Sequence, residues 1–443
     1  MGGRRRRRRA PEGEFLAEIN GMAHDGRGVA RVDGKATFIH GALPGEEVRF
    51  RYLSCRRNHD EGQVVSVIRA APERVTPRCD SYGVCGGCSL QHMDPDAQLA
   101  AKQRVLLDNL RQIGDVEPQQ VLPPLRNDSP WGYRRKARLG VKDVPRKGKV
   151  LVGFRERGSS FVTDVAKCHV LHPHVGERLP ALSGLIESLT ISRRVPQIEI
   201  AMDDAQCVLI LRVLDPLGGG DADRLRAFAA EHDVTFYLQP GGPDSVVPLD
   251  TAVDLHYRLP EDGLRLSFRP GDFTQVNSDI NRKMIAAAMD LLELHADEAV
   301  LDLFCGIGNF TLPMARRAAH VVGVEGDAGL VARARENSRH NAIDNAEFFT
   351  ADLYGDLSAE PWTGRRYDKV LLDPPRSGAF EVLPLIARLG VRRVVYVSCY
   401  PGTLARDAGE LVSKHGFRLS RAGVMDMFPH TAHVESIAVF DRD

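Results

Sequence analysis

One stretch constrains this chain more than any other: Ala299 to Phe310, Ala-Val-Leu-Asp-Leu-Phe-Cys-Gly-Ile-Gly-Asn-Phe. Its short apolar run, Val300 to Phe304, is broken by one acid and followed at once by Gly306 and Gly308. Such a run reads as a buried strand of a parallel sheet. Glycines at its end let the chain turn tightly and let a ligand approach the backbone. Leu312 to Ala318 then reads as a helix, and Val321 to Val324 as a second strand ending in Glu325. A carboxylate about 20 residues past a glycine turn is placed to hydrogen-bond ribose hydroxyls. The spacing is GxG rather than GxGxxG, which favours a mononucleoside-type cofactor such as S-adenosylmethionine over a dinucleotide. Strands and helices go on alternating, with further strands near Lys369 to Leu372, Val394 to Ser398 and Ser436 to Phe440. That alternation predicts a doubly wound α/β domain, here residues 269–443.

The chain has 443 residues, about three times a typical domain, so two or three domains are expected. No apolar run approaches the ~20 residues of a membrane span. Arg4 to Arg9 is not followed by an apolar core, so it is no secretory signal. A cytoplasmic protein with no membrane partner is expected. Its eight cysteines are then better candidates for metal or catalysis than for disulfides. The 59 basic and 59 acidic residues cancel, so any nucleic-acid surface must be local. Residues 1–13 form a basic tail, expected to be disordered and suited to tethering phosphate.

Residues 14–71 read as short strands separated by Asp25-Gly26, Asp33-Gly34, Pro44-Gly45 and Glu61-Gly62. About five strands in so short a stretch suggest a small barrel of the oligonucleotide-binding kind. Ala23 to Ala30, with Ile39 to Glu46, resembles a TRAM domain, an RNA-binding barrel. Residues 72–268 read as a mixed α+β central domain. It opens with Cys79, Cys85 and Cys88, spaced C-x5-C-x2-C. Three such thiols are a metal signal, and a fourth ligand would complete a zinc or iron–sulfur site. Cys55, Cys168 and Cys207 are candidates, and spacing does not choose iron over zinc. It does argue against a radical S-adenosylmethionine enzyme, whose loop would need C-x3-C-x2-C. Asp94 to Ile113 carries one apolar stripe and reads as a helix. Arg126 to Arg157 is the densest basic region, with Trp131, Tyr133 and Phe154 interleaved, a pattern suited to single-stranded RNA. Phe268 to Asn277 precedes a helix from Ser278 to Leu292, with Ser278 as the expected N-cap.

Three motifs fall at strand ends of the last domain, where open α/β sheets bind ligands. They are Asp373-Pro-Pro-Arg376, Ser398-Cys399-Tyr400-Pro401 and Phe428-Pro-His-Thr-Ala-His-Val-Glu435. Cys399 stands just before a predicted helix, whose N-terminus is expected to lower the thiol pKa. A nucleophilic cysteine beside a methyl donor suits carbon 5 of uracil. Thiolate addition at carbon 6 makes carbon 5 nucleophilic, and a base such as Glu435 then removes its proton.

Asp302 to Phe310, the Asp373, Cys399 and Glu435 motifs together resemble the RNA uracil-5 methyltransferase family. With the barrel and the cysteine cluster, the likeness is to its 23S ribosomal RNA branch and covers nearly the whole chain. The resemblance implies a Rossmann-like class I methyltransferase domain acting on 23S ribosomal RNA, in a chain expected to be a monomer. It implies a [4Fe–4S] cluster on Cys79, Cys85, Cys88 and Cys168. It implies S-adenosylmethionine contacts from Gln275, Phe304, Asn309, Glu325, Asp352 and Asp373, with Cys399 as nucleophile, Glu435 as base and Phe273 as an aromatic that meets the RNA. Tyr400 departs from the family's usual Asn after the cysteine. Rival readings are a transfer-RNA uridine methyltransferase, an adenine or guanine amino-group methyltransferase, and an RNA-binding ribosome assembly factor.

Overall fold

The computed structural model describes residues 10–443, so the Arg4 to Arg9 run lies outside the described residues. The described chain falls into two compact units. The first takes the chain up to Arg104 with Arg155–Phe161 and Phe428–His433. The second takes Val105–Phe154, Val162–Met427 and Val434–Asp443.

Six strands of the first unit, Phe15–Glu18, Gly21–Met22, Gly28–Val32, Lys35–His40, Glu47–Cys55 and His59–Arg69, form one sheet. Residues alternate across a strand. In Glu47–Cys55 this turns Val48 and Phe50 into a small core with Ile19, Ala30 and Ile39. Glu46 is buried, and its carboxylate accepts from Arg74 and from the backbone N–H of Leu43 at 2.8 Å.

The second unit holds two large sheets. One runs in the order Val247–Pro248, Thr235–Gln239, Cys207–Arg212, Gln197–Met202, Lys136–Val144, Lys149–Gly153. Its core takes Leu182 and Ile186 of the helix Leu179–Ser188, and Leu225 and Phe228 of the helix Asp221–His232.

The other sheet carries the motifs. Its strands are β1 (Gln120–Val121), β2 (Ala299–Leu303), β3 (His320–Glu325), β4 (Ala346–Thr350), β5 (Lys369–Leu372), β6 (Arg393–Ser398), β7 (Arg418–Met425) and β8 (Glu435–Asp441). Their order is β4-β3-β2-β5-β6-β8-β7-β1. Strands β2 to β6 are mutually parallel, and β8 runs antiparallel to both β6 and β7. The sequence reading missed β1, whose two exposed residues carry no apolar alternation.

Two element boundaries differ from expectation. The N-cap of the helix Ser278–Leu292 is Asn277, not Ser278. The Asn277 side chain accepts from the Ile280 N–H at 3.3 Å, and its amide donates to the Met427 carbonyl at 3.2 Å. The helix expected over Leu312 to Ala318 is Thr311–Ala315. The Asn345 amide donates to the Ala315 and Ala318 carbonyls at 2.9 and 3.0 Å. It thereby satisfies orphan acceptors at the helix end and lets the chain turn into β3.

Candidate active site

The parallel strands of the second sheet end on one edge, and the residues just past them form the site. After β2 come Phe304 and the glycine loop. Phe304 is a non-glycine residue at φ 66°, a conformation costing on the order of 1–3 kcal/mol. Its N–H and that of Cys305 both donate to the Val324 carbonyl, at 2.9 and 3.1 Å. This turns the backbone sharply out of the sheet. Gly306 has φ 55°, and a Cβ placed on it would meet nothing within 4 Å. The loop backbone therefore faces open space there, as a nucleoside-binding loop requires.

Glu325, at the end of β3, accepts from the Gly306 N–H at 3.1 Å through one oxygen. The other accepts from the Asp327 N–H at 3.0 Å. The carboxylate thus ties the loop to β3 while each oxygen keeps a lone pair. The Asn309 amide is already engaged. Its Oδ1 accepts from the Tyr257 hydroxyl at 2.7 Å and from Asn281 at 3.2 Å, and its Nδ2 donates to Asn281 at 3.0 Å. Tyr257 and Asn281 escaped the sequence reading because both lie upstream of the loop they hold. Asp352, past β4, is exposed and accepts from the Tyr354 N–H at 3.0 Å. The Tyr354 ring lies 5.8 Å from that of Phe304, and its hydroxyl donates to the Gly378 carbonyl at 3.0 Å. This aromatic wall carried no sequence signal. Gln275 is half-buried just before Asn277.

The chemistry gathers at β5, β6 and β8. Ser398 of β6 pairs with Ser436 of β8. Cys399 directly follows Ser398 and Glu435 directly precedes Ser436, and the Glu435 carboxylate is near enough for its charge to act on the Cys399 thiol. Asp373 ends the adjacent strand, and its N–H donates to the Leu303 carbonyl at 3.3 Å. The loop after it is pinned from below. Buried Asp407 accepts from the Ala379 N–H at 2.8 Å and from the Tyr396 hydroxyl at 2.7 Å.

Charge in this corner is negative. Burial, then the charges of Glu435, Asp302 and Glu325, push Asp373 well above the usual carboxylate range. Buried Asp302, which accepts from the Thr311 hydroxyl at 2.5 Å, is pushed up to about 7, chiefly by burial. Burial, Glu435 and Asp373 together push the Cys399 thiol up to about 11. The expected lowering by the helix Pro401–His415 is therefore overturned. Cys399 lies outside the first helical turn, and burial with the charges of Glu435 and Asp373 outweighs the helix N-terminus.

Cys79, Cys85 and Cys88 lie in the first unit and Cys168 in the second. The loop is held firmly. Gly86 N–H donates to the Arg155 carbonyl at 2.8 Å, the Arg157 guanidinium donates to the Cys88 carbonyl at 3.1 Å, and the Tyr82 hydroxyl donates to the Ser89 carbonyl at 2.6 Å. The Gly87 N–H points at the Cys85 sulfur, 3.4 Å away. Among the described residues, no group of three or more His, Cys, Asp or Glu side chains is arranged as a metal site. Cys207 is buried in the central sheet, where burial pushes its thiol up to about 12. The basic stretch is divided. Arg138 is exposed, whereas Lys136 and Tyr133 are interior and Arg135 pairs with Asp204 at 2.9 Å. Among the described residues no helix is long and apolar enough to cross a membrane.

Residues 253–443 match the family model tRNA (Uracil-5-)-methyltransferase, and residues 13–65 match the TRAM domain. The 23S rRNA (uracil(1939)-C(5))-methyltransferase RlmD of Alkalilimnicola ehrlichii is 56% identical over 441 residues, 99% of each chain. The enzyme of that name from Xanthomonas axonopodis pv. citri is 54% identical over 442 residues, again 99% of each. Among solved structures, the Pyrococcus abyssi tRNA (uracil-54, C5)-methyltransferase in complex with S-adenosyl-L-homocysteine shares the fold. Its TM-score is 0.74 at 23% identity, over 96% of this chain and 99% of that one. An open doubly wound sheet with a thiol and a carboxylate at adjoining strand ends, preceded in the chain by a TRAM domain, is thus accompanied by end-to-end identity above half, and the chain belongs to the RlmD group of the RNA uracil-5 methyltransferase family.

Proposed function

We propose that this chain transfers a methyl group from S-adenosylmethionine to carbon 5 of one uridine of 23S ribosomal RNA, the position named for its relatives, working as a cytoplasmic monomer. The observation that supports the reading is that Cys399 and Glu435 adjoin the paired Ser398 and Ser436 of β6 and β8, and that the charges of Glu435 and Asp373 both act on the Cys399 thiol. One chain supplies all three groups. The surrounding carboxylates favour a cationic ligand, and S-adenosylmethionine supplies a methyl on a positively charged sulfur. Glu325 is suited to the ribose, Phe304 and Asp352 to the nucleoside, and Asp373 to the reacting end. Gln275 and Asn309 complete the contacts.

In the reaction proposed, the Cys399 sulfur bonds to carbon 6 of the uracil, and the electrons of the C5–C6 double bond move toward the carbonyl at carbon 4. Carbon 5 would then take the methyl as its bond to the sulfonium breaks, that electron pair staying on the sulfur to leave S-adenosylhomocysteine. Glu435 removes the proton that carbon 5 still carries, the double bond re-forms and Cys399 departs. A thiol held near 11 must lose its proton within the loaded complex, where a cationic neighbour offsets the two carboxylates. Phe273, exposed on its loop, is the aromatic we assign to the RNA.

We also infer that Cys79, Cys85, Cys88 and Cys168 hold a [4Fe–4S] cluster. A four-thiolate donor set fits that group, and a backbone N–H aimed at the Cys85 sulfur is the kind of contact that stabilises a cluster-bound thiolate. It is assigned no step in the reaction.

The test is to map 5-methyluridine in 23S ribosomal RNA from cells with and without the gene. Loss at one uridine, restored by the wild-type gene and not by Cys399→Ala, is expected. Loss from transfer RNA instead would move the chain to the other substrate class. No loss from either would favour an assembly factor.

A further inference from the structure

The segment Arg269 to Val276 carries Phe273 and Gln275 between a strand, Leu264–Phe268, and the helix Ser278–Leu292. A loop that presents a 69% exposed aromatic ring has no apolar anchor of its own at that ring. It is held instead by charge. Lys136, on the central sheet with only 15% of its side chain exposed, donates to the Pro270 carbonyl at 3.2 Å and to the Asp272 carbonyl. Arg333 is buried on the helix Ala328–His340, and its Nε donates to the Asp272 carboxylate at 3.1 Å. The same carboxylate accepts from the Arg269 N–H at 2.7 Å, closing the turn. At the far end the Arg135 N–H donates to the Val276 carbonyl at 2.8 Å, and Asn277 caps the following helix. One buried and one largely buried cation reach this short loop, and such groups are costly to desolvate unless they are partnered, as both are here. Arg333, Asp272 and Phe273 also line one groove of about 1250 Å³.

We propose that Arg333, with Lys136, is a positioning residue for RNA: it fixes Asp272, and through it the loop that aims Phe273 at the substrate. The proposal rests on the assignment of Phe273 to the RNA made above. Arg333 is buried and engaged with Asp272 and Glu336, so it acts through the loop and not on phosphate. Freed of the clamp, the loop samples many conformations, and ordering it again weakens binding.

The experiment measures the KM for a target RNA fragment, and kcat at saturating RNA, in the full-length enzyme. Arg333→Gln raises the RNA KM about tenfold (~1.4 kcal/mol) while kcat falls less than threefold. Arg333→Lys, which keeps a donor for Asp272, recovers most of the loss. The deciding variant is the double one. In a Phe273→Ala background, loss of Arg333 adds less than about twofold, because the residue it serves is already gone. The salt slope of RNA affinity stays as in wild type, whereas a lost phosphate contact would flatten it by roughly 0.7–0.9. Additive effects in both backgrounds, a flattened slope, or an unchanged KM in Arg333→Gln overturns the proposal. Should Arg333→Gln fail to fold, Asp272→Asn breaks the same ion pair and carries the same test. A Phe273→Ala enzyme with unchanged KM would refute the assignment of Phe273 to RNA and the clamp with it. A raised KM there without one in Arg333→Gln would refute the clamp alone.

Discussion

At the scale of single residues, the site is decided by competition among charges. Cys399 stands before a helix but within the influence of Glu435 and Asp373, and the carboxylates and burial win. The sign is plain: negative neighbours disfavour the thiolate, so the pKa rises, and removing one of them lowers it. Peptide-resolved alkylation of the ligand-free enzyme should therefore show Cys399 reacting slowly at pH 8. The rate should climb about tenfold per pH unit and level off only near 11. Glu435→Gln should react several-fold faster at pH 8. An inflection at or below the ordinary thiol value, or a Glu435→Gln enzyme that reacts more slowly, would contradict this electrostatic picture.

At the scale of elements, the sheet depends on close approach. Gly323 sits in β3 between β2 and β4. A Cβ there would lie 2.8 Å from the Phe348 ring and 3.0 Å from the Cys305 sulfur. Gly323→Ala should therefore destabilise the enzyme by about 1–3 kcal/mol, read as a lowered denaturant midpoint with little change in slope. An unaltered midpoint would mean that the strand gives way freely. The same elements explain what the sequence could disclose. Strands β2, β3, β5 and β6 were legible because buried parallel strands are continuous apolar runs bounded by turn residues. Cys399 and Asp373 stood out because they follow those runs directly, and Glu435 because it stands at the start of the last strand. Tyr257 and Asn281 did not, since their contact with Asn309 joins residues far apart in the chain. The N-cap was misplaced by one residue because Asn277 and Ser278 are both good caps, and the packing of Asn277 on the Met427 carbonyl decides between them. Lys136 misled for a related reason. A cation in a basic run reads as surface until the fold puts it under a loop.

At the scale of the whole molecule, one chain joins a TRAM domain, a run of three closely spaced cysteines and a methyltransferase domain. Protein purified without oxygen should be brown, with about four irons per chain. Cys168→Ala should lose the iron, and Cys207→Ala should keep it, because Cys207 belongs to the central core. Stoichiometric zinc without iron would remove the cluster. In the proposed reaction, the Cys399 thiol and the Glu435 carboxylate, at adjoining ends of β6 and β8, act in sequence on one uracil. It is tested most directly with Glu435→Gln, target RNA and a methyl donor labelled in its methyl group. The account predicts a denaturation-resistant protein–RNA adduct that carries the label, because the methyl arrives but carbon 5 keeps its proton and the thiol cannot leave. It predicts no adduct and no methylation for Cys399→Ala. A Glu435→Gln enzyme that turns over normally, or a His433 variant that accumulates the labelled adduct in its place, would contradict the account.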